Sequence, residues 1–477
     1  MSGCPHQRGA ESDPKPLFAA PKPVPRAERA SLWQHLKAFR KDILSAQPAR
    51  LYRAWMAEFR TPFFRSFLVN EPKLVRHVLT ERPLDFPKSN RIAEGLRPLL
   101  GNSVFLTNGE IWQRQRRIID PAFEGGRLRD TFASMRGAGE AAAERLAAKL
   151  GPQGGWVEIE EDCSHAAADV IFRTLFSLPI THAVAAQVFH EFRAYQRSQP
   201  ILNLAAFIPL PRVLPRFHRR KTKGAAASIR ALITGLTEAR RAEIAAGTAP
   251  DDLATKIMTT ADPQTGERFS TIEMVDQVAI FFLAGHETSA SALGWSLWLL
   301  AANPEVQARC AAEALALPEV PEFADLSKLK FTRDVFREAL RLYPPVPMMV
   351  REASQPEVFR EREVPKGAQI VVSPWHLHRH ERIWPEPDSF DPERFQTETG
   401  RACLRDAYIP FSAGARVCTG AGFAMIEGVL LLALLLRRFQ FAPDPDRIPV
   451  PQAQLTVRAK DGIWLHVTRR DPPVSTD

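Results

Sequence analysis

The sequence is poor in cysteine, with five among its 477 residues, at positions 4, 163, 310, 403 and 418. Their number is odd and no two of them form a CxxC pair. This pattern argues against a disulfide framework, a structural zinc site, an iron–sulfur cluster and covalent attachment of a c-type haem. We therefore expect the protein to work in a reducing compartment.

Long apolar runs are also missing. The longest, GVLLLALLL at 428–436, is bounded by Glu427 and Arg437. It is much shorter than the roughly 20 residues that a membrane-spanning helix needs, so it predicts a core helix. The opening segment MSGCPHQRGAESDPKPLF has no apolar stretch of the kind found in secretory signal peptides. The sequence thus predicts a cytoplasmic protein with no membrane span.

The chain carries an excess of positive charge, formally +9. The basic residues are spread along the sequence, and the one dense run, RFHRRKTKG at 216–224, is typical of a solvated loop or a helix end. No motif that reads a nucleic-acid groove accompanies the charge. We expect no nucleic-acid partner. The alternative that a basic surface docks an acidic protein stays open.

Composition and periodicity predict the organisation of the chain. Residues 1–28 are rich in proline and charge and predict a flexible leader, followed by a single domain over 29–477. Between about 130 and 345 the pattern is mainly helical. Strand-like segments are few and short, at 63–69, 369–372 and 462–467. The expected fold class is mainly α with a minor β component (α+β).

One long helix is predicted over FSTIEMVDQVAIFFLAGHETSASALGWSLWLLAANPE. Ser270 and Glu273 have capping-box spacing, and Asn303-Pro304 ends the run. The helix is apolar on most faces, which indicates a central position. Its middle, AGHETS at 284–289, is nevertheless polar, and polar groups inside a buried helix are costly unless each finds a partner.

The stretch FSAGARVCTG, 411–420, places a lone cysteine among small residues directly before an apolar helix. A helix start favours the thiolate form of Cys418, so we expect a lowered pKa. Small neighbours let the backbone approach a large flat ligand closely. A single thiolate that leaves the other axial position open suits haem iron. The alternative is a buried free cysteine that packs as a small hydrophobe.

These residues match, position for position, the FxxGxRxCxG haem-binding signature of the cytochrome P-450 family. The matching residues are Phe411, Gly414, Arg416, Cys418 and Gly420. AGHET (284–288), EALR (338–341), PERF (392–395) and WQRQR (112–116) resemble the other motifs of that family and follow in its order. The resemblance runs from about residue 45 to 470. It implies a soluble, bacterial haem-thiolate monooxygenase with the P-450 fold, in which a long central helix lies over a haem held by a cysteine loop.

The resemblance also implies a role for each motif. Cys418 would be the axial thiolate of haem b, and Trp112, Arg116, Arg351 and Arg416 would hold the haem propionates, for which arginine forks are suited. Thr288 and Glu287 would deliver protons during oxygen activation. The alternative for this pair is that Glu287 makes an ordinary helix-surface ion pair and Thr288 bonds back to the preceding turn. His286 is interpreted as a structural histidine.

The ExxR motif and the PERF segment would form a buried charge network on the thiolate side. Its members by resemblance are Glu338, Arg341 and Arg394. An isolated Glu–Arg pair at this spacing contributes only about 0.2–0.5 kcal/mol, which is the alternative interpretation. We expect loss of any member of a buried network to impair haem incorporation before chemistry.

The substrate can be bounded only loosely from the sequence. Candidate pocket residues, by analogy with the family, are Phe281, Phe282, Ala284 and Met348, with core packing as the alternative. The proline-broken segment 207–217 resembles the family's loop over the substrate entrance. An apolar small molecule is expected, such as a fatty acid, a terpenoid or an aromatic hydrocarbon.

No flavin or ferredoxin module follows residue 470. Two electrons from NAD(P)H are therefore expected to arrive through a separate ferredoxin or flavodoxin with its reductase, and acidic partners of this kind would suit the positive net charge. O2 is the expected co-substrate and a monomer the expected state. Two alternatives stay open: a peroxide-driven peroxygenase or isomerase on the same fold, and a non-enzymatic haem-based gas or redox sensor.

Overall fold

A computed structural model describes residues 18–61, 64–198, 220–453 and 455–470. The predicted entrance loop 207–217, leader residues 1–17 and the first part of the basic run at 216–219 lie outside the described residues. The described residues form fifteen α-helices and eleven β-strands.

The helices are α1 (Leu32–Lys41), α2 (Pro72–Arg76), α3 (Asn90–Leu100), α4 (Gly109–Ile119), α5 (Gly125–Ala148), α6 (Ile159–Phe176), α7 (Ala183–Ser198), α8 (Arg220–Ala246), α9 (Leu253–Thr259), α10 (Thr271–Ala301), α11 (Pro304–Leu315), α12 (Lys330–Leu342), α13 (Pro374–Leu377), α14 (Glu398–Ala407) and α15 (Ala421–Arg438). The strands are β1 (Met56–Arg60), β2 (Arg65–Val69), β3 (Gly155–Glu158), β4 (Met349–Glu352), β5 (Glu357–Phe359), β6 (Arg362–Val364), β7 (Gln369–Val372), β8 (Phe439–Pro443), β9 (Pro451–Ala453), β10 (Val457–Ala459) and β11 (Trp464–Arg469).

The predicted central helix is α10, which has 31 residues. Its capping box is formed: the Ser270 hydroxyl accepts the Glu273 N–H at 3.3 Å, and the Glu273 carboxylate accepts the Ser270 N–H at 2.9 Å. At about 1.5 Å per residue the helix is long enough to cross the domain. It packs against α6, α8, α12 and α15, so its prediction as a buried central element is confirmed.

The sheets are small. Strands β3 and β8–β11 contribute side chains to the helical core, whereas β2 and β5–β7 contribute to a second apolar cluster. The largest sheet has the strand order β1-β2-β7-β4, with β2 and β7 parallel and the other pairs antiparallel. Strand β7 has the predicted bounds, whereas β11 begins two residues later than predicted. The fold class is confirmed as mainly α with a minor β component. Within the described residues, no helix is long and apolar enough to cross a membrane.

The segment that follows the undescribed amino terminus differs from the predicted flexible leader. The Phe18 ring packs against Trp298 at the end of α10, with ring centroids 5.6 Å apart. The Ala20 N–H donates to the Asp388 carbonyl at 2.8 Å, and Arg26 Nε donates to the Ala46 carbonyl at 2.8 Å. The prediction of a loose leader up to residue 28 is therefore corrected, because apolar packing and backbone hydrogen bonds attach residues 18–26 to the folded body.

Candidate functional site

The loop that carries Cys418 ends where α15 begins. The Cys418 N–H donates to the Phe411 carbonyl at 2.9 Å, and the Ala421 N–H donates to the Cys418 carbonyl at 3.2 Å. Phe411 thus shapes the loop through its backbone, while its half-buried ring packs against the core. These bonds fix the position of the thiol relative to the first turn of α15.

The two signature glycines have different structural roles. Gly414 has φ +66°, and a Cβ there would come within 2.1 Å of the Leu79 carbonyl oxygen, because the loop packs against the π-helical turn His77–Glu81. Only glycine tolerates that approach. A Cβ at Gly420 would lie 3.9 Å from the Cys418 sulfur, which is an ordinary contact. Gly420 acts instead through its backbone N–H, which hydrogen-bonds the Cys418 thiol.

The thiol does not have the lowered pKa that the helix start predicted. Cys418 has exposed surface, but desolvation by the surrounding protein raises the pKa of the thiol. The Gly420 N–H and the Arg116 charge act in the opposite direction and are weaker. The prediction was wrong for the polypeptide alone, because desolvation outweighs the helix dipole here. A bound metal cation would favour the thiolate directly.

Four cations converge beside this loop, around the Trp112 ring. Lys88 Nζ lies 5.7 Å from the ring centroid, and the guanidinium carbons of Arg416 and Arg116 lie 4.8 and 6.0 Å from it. Arg351 joins them because an isolated β-bridge pairs it with Lys88. Arg116 also donates to the Val417 carbonyl at 2.8 Å, directly before Cys418. All four candidate propionate residues from the sequence are therefore brought together, and Lys88 is added.

Among the described residues, the cluster has only one compensating carboxylate. Asp120 pairs with Arg116 at 2.8 Å, but among the described residues no carboxylate lies within salt-bridge distance of Lys88, Arg351 or Arg416. Burial and then the neighbouring arginines hold the pKa of Lys88 well below its usual value, and burial and then Arg416 lower that of Arg351 to about 10. The buried Arg416 Nε has no hydrogen-bond partner. Backbone carbonyls accept hydrogen bonds from Lys88, Arg351 and Arg416 but supply no negative charge. A bound anion would compensate the cluster, and the two carboxylates of haem b suit it.

Lys88 was missed by the sequence reasoning because it lies in the segment FPKSN, outside every recognised motif. We expect Lys88→Met to accelerate haem dissociation about ten- to hundredfold, since a hydrogen bond to a charged group contributes about 1.5–3 kcal/mol. Transfer of haem to an excess of apomyoglobin measures this rate. Lys37→Met, which removes an exposed lysine of α1, is the control. Equal rates for both variants would contradict a role for Lys88 in haem binding.

The polar centre of α10 contains Thr288 and Glu287, and their side chains point to different partners. The Thr288 hydroxyl donates to the Ala284 carbonyl at 2.5 Å, one turn back along the helix. The Glu287 carboxylate accepts from Thr456 Oγ1 at 3.1 Å and from Arg458 Nη2 at 3.4 Å. The alternative interpretation was that Thr288 bonds back to the preceding turn and Glu287 makes an ion pair on the helix surface. Both contacts agree with it, except that the ion pair of Glu287 is buried.

The surroundings of Glu287 include a second buried carboxyl. Burial raises the pKa of Glu160 to about 7, and the Arg458 charge opposes this shift. Glu160 also accepts the Ala459 N–H at 3.2 Å. Strand β10 thus contacts both carboxyl groups, and Glu160 changes its protonation state near neutral pH, behind the central helix.

The candidate pocket residues do not share one environment. Ala284 is exposed although most of α10 is buried, so the helix has an open face at the polar centre. Phe281 is half-buried against Phe123, which also contacts Phe423 of α15. Met348, just before β4, is also half-buried.

Phe282 is corrected from a pocket residue to a core residue. It is buried against Phe172 and Phe192, with ring centroids 4.5 and 4.7 Å away. His286 is also fully buried, with Nε2 2.6 Å from Ser164 Oγ. Burial lowers the pKa of His286 to about 3, so it is neutral, in keeping with its interpretation as a structural histidine.

The ExxR and PERF residues form one buried network. Glu338 accepts from Arg341 at 2.8 Å through both carboxylate oxygens and from Arg394 Nε at 2.9 Å. Burial alone would raise the pKa of Glu338, but the two arginines hold it below its usual value. The remaining guanidinium donors bind backbone carbonyls, among them that of Ser389, which accepts from both arginines. The network therefore fixes the segment 385–391 against α12.

Comparison with known proteins gives a consistent result. The sequence model described as Cytochrome P450 matches residues 50–465. Human Cytochrome P450 4A11 is 32% identical over 462 residues, covering 92% of this chain and 85% of that protein. Cyclooctat-9-en-7-ol 5-monooxygenase of Streptomyces melanosporofaciens is 33% identical over 399 residues, covering 82% of this chain and 83% of that protein.

A solved structure is also similar. The crystal structure of the cytochrome P450DA heme domain superposes with a TM-score of 0.77 at 26% identity, covering 96% of this chain and 99% of that chain. The match to the family's sequence model includes the cysteine loop, the central helix and the buried charge network, and the similarity to both relatives extends over most of the chain. The chain therefore belongs to the cytochrome P450 family of haem-thiolate monooxygenases.

Proposed function

We propose that the protein inserts one oxygen atom from O2 into an apolar organic substrate, with haem b bound through Cys418 and with electrons from a separate redox protein. The observation that carries this proposal is the position of Cys418 beside a buried cation cluster in which three of the four cations have no carboxylate partner among the described residues. When bound, the haem supplies the iron that activates oxygen, and the thiolate supplies electron density that favours O–O cleavage. A single domain would contain all of these groups.

In this proposal Arg116, Arg351, Arg416 and Lys88 would hold the haem carboxylates, and the Trp112 ring would support three of these cations, which lie against it. Phe411, Gly414 and Gly420 shape the loop that presents the Cys418 sulfur. The role of this set is to orient the haem and to compensate its negative charge where little water is present. The Gly420 N–H stabilises the thiolate form of Cys418.

Thr288 would act on the distal side, where α10 exposes Ala284. Its proton is used in the bond to the Ala284 carbonyl, so the hydroxyl oxygen is free to accept a hydrogen bond and to hold a proton donor in place. Glu287, held by Thr456 and the partly exposed Arg458, would exchange protons with solvent and return them towards Thr288.

We expect Thr288→Ala to uncouple the reaction. Without the hydroxyl that holds the proton donor, NAD(P)H oxidation continues, while product formed per NAD(P)H falls about ten- to hundredfold. The missing electrons should appear as hydrogen peroxide. Parallel measurement of NAD(P)H, product and peroxide tests this expectation.

Thr234→Ala is the matched control, because Thr234 is half-buried in α8 and makes the same bond, to the Arg230 carbonyl at 2.8 Å. Unchanged coupling in Thr288→Ala would remove Thr288 from the proposed proton path.

Product formation with peroxide but not with NAD(P)H, O2 and a reductase would favour the peroxygenase alternative. Bound haem without turnover of any compound in an apolar panel would favour the sensor.

The proposed substrate is an apolar small molecule, such as a fatty acid, a terpenoid or an aromatic hydrocarbon. The open face of α10 at Ala284 and the half-buried Phe281 and Met348 offer apolar contacts. The Streptomyces relative is named for the oxidation of a cyclic alcohol, cyclooctat-9-en-7-ol. Titration of a compound panel, followed by the substrate-induced shift of the haem absorption band, identifies the class.

The proposed electron donor is an acidic ferredoxin or flavodoxin with its reductase. The formal charge of +9 supports docking of an acidic protein. Reduction by such a donor should slow steeply as salt is added, because exposed charges are screened beyond about 8–10 Å at physiological ionic strength.

A further inference from the structure

His378 connects the buried charge network to the cysteine loop. It follows the short helix α13 and is fully buried. Its ring lies between two backbone groups: Nδ1 is 3.2 Å from the Arg341 carbonyl oxygen, and Nε2 is 2.8 Å from the Ile409 nitrogen. Arg341 in turn donates its Nη1 to the His378 carbonyl at 2.8 Å. The two residues are therefore joined in both directions.

The two ring contacts fix the protonation state of His378. A backbone carbonyl can only accept a hydrogen bond and a backbone N–H can only donate one. The ring must therefore carry its hydrogen on Nδ1 and leave the Nε2 lone pair for Ile409. Burial and the Arg341 charge lower the pKa of His378, which agrees with a neutral ring. The Tyr408 ring stacks on it at 5.3 Å between centroids.

Ile409 lies two residues before the cysteine loop, which comprises residues 411–420. The Ile409 carbonyl accepts the Ser412 N–H at 3.1 Å, and the Phe411 carbonyl accepts the Cys418 N–H at 2.9 Å. Ser412 has φ +66°, in the left-handed region that non-glycine residues adopt only when the surroundings hold them there. The loop is therefore strained close to the residue that His378 holds.

We propose that His378 is a positioning residue, whose Nε2 lone pair holds the start of the cysteine loop against the Glu338–Arg341–Arg394 network and thereby keeps Cys418 bound to iron as the thiolate. This inference rests on the proposed function of Cys418. It assigns to the buried charge network a specific hydrogen-bonded link to the start of the cysteine loop, beyond its role in stability. The link passes from Arg341 through the imidazole to Ile409.

Two substitutions distinguish the effect of the Nε2 lone pair from the effect of the volume of the ring. In His378→Gln the side-chain oxygen can accept the Ile409 N–H in place of Nε2, whereas His378→Phe fills the space without an acceptor. The readout is the reduced, carbon monoxide-bound spectrum, in which thiolate-ligated and thiol-ligated iron have separate Soret bands. We expect His378→Phe to shift the equilibrium towards the thiol-ligated form about 5- to 150-fold, and His378→Gln to stay near the wild type.

His376→Phe is the matched control, because His376 is also buried but its ring contacts Ser373 rather than the cysteine loop. We expect it to lower the melting temperature without changing the ratio of the two Soret bands. If His378→Phe and His378→Gln give the same ratio as each other, or if His376→Phe changes it as much as His378→Phe, the inference is overturned. A wild-type protein with no thiolate band would instead overturn the proposed function.

A measurement on the unsubstituted protein covers the case in which His378→Phe does not fold. Nitrogen NMR of ring-labelled histidine in the diamagnetic ferrous carbon monoxide complex reports the tautomer, and the His378→Gln spectrum assigns the signal. We expect a protonated Nδ1 and an unprotonated, hydrogen-bonded Nε2. The opposite tautomer or a charged ring at neutral pH would overturn the inference.

Discussion

Replacement of Cys418 with histidine is expected to remove the thiolate Soret band of the reduced, carbon monoxide-bound protein and to reduce monooxygenase turnover to background. The imidazole would supply a neutral nitrogen in place of an anionic sulfur. The electron density that the thiolate donates to favour O–O cleavage would therefore be lost. The four cations around Trp112 are unchanged in this variant, so haem can still bind. Haem content, the Soret position and turnover with reductase, NAD(P)H and O2 check each part of the expectation.

Cys310→Ala provides the control for this substitution. Cys310 is a buried free cysteine of α11, and burial raises the pKa of its thiol to about 12, so it is inert. We expect the spectrum and turnover of this variant to match the wild type. A Cys418→His protein that retains the thiolate band would contradict the assignment of Cys418 as the iron ligand, and with it the proposed function.

Glu338→Ala is expected to have the largest effect on stability. Glu338 is fully buried between Arg341 and Arg394, so its removal leaves two guanidinium groups without a counter-charge. Breaking a buried charge network in this way costs about 3–5 kcal/mol. Because Arg341 and Arg394 also bind the segment 385–391, we expect little haem in the purified protein. Haem-to-protein ratio and the urea midpoint of unfolding measure the two consequences.

The neighbouring ion pair between Arg309 and Glu393 is the control. Its atoms lie 2.8 Å apart, but both side chains are more than half exposed, and surface pairs contribute about 0–1 kcal/mol. Glu393 lies one residue before Arg394, so Glu393→Ala tests a change next to the network. We expect it to leave the haem content unchanged. Normal haem content in Glu338→Ala would show that the network does not support the thiolate side.

The sequence predicted the central helix well because local signals determine it. Ser270 and Glu273 form the capping box, and Pro304 cannot continue the preceding helix. The cysteine loop and the charge network were recognised for a different reason. Their residues match motifs of the cytochrome P-450 family, and that resemblance implied their roles. Without it, the spacing of Glu338 and Arg341 indicates only an ordinary helix pair.

The remaining features depend on contacts between distant segments. Lys88 joins the cation cluster through a bridge to Arg351, 263 positions later, and its own surroundings in the sequence give no signal. Glu287 turns towards Arg458 because strand β10 passes behind α10, which no helix-level pattern indicates. The pKa of Cys418 was misjudged because the helix start is visible in the sequence, whereas the burial that outweighs it depends on the complete fold.

The attachment of residues 18–26 has a practical consequence for recombinant versions of the protein. Phe18 covers the Trp298 ring at the end of α10, and Lys22 pairs with Asp388, next to the Ser389 carbonyl that both network arginines bind. A truncation that starts at residue 29 to remove a supposed tail would expose that indole to water and leave Asp388 with Arg379 as its remaining ion-pair partner. Truncation for crystallisation should therefore stop before Phe18, because residues 18–26 pack against the end of α10 and the segment that the buried charge network binds.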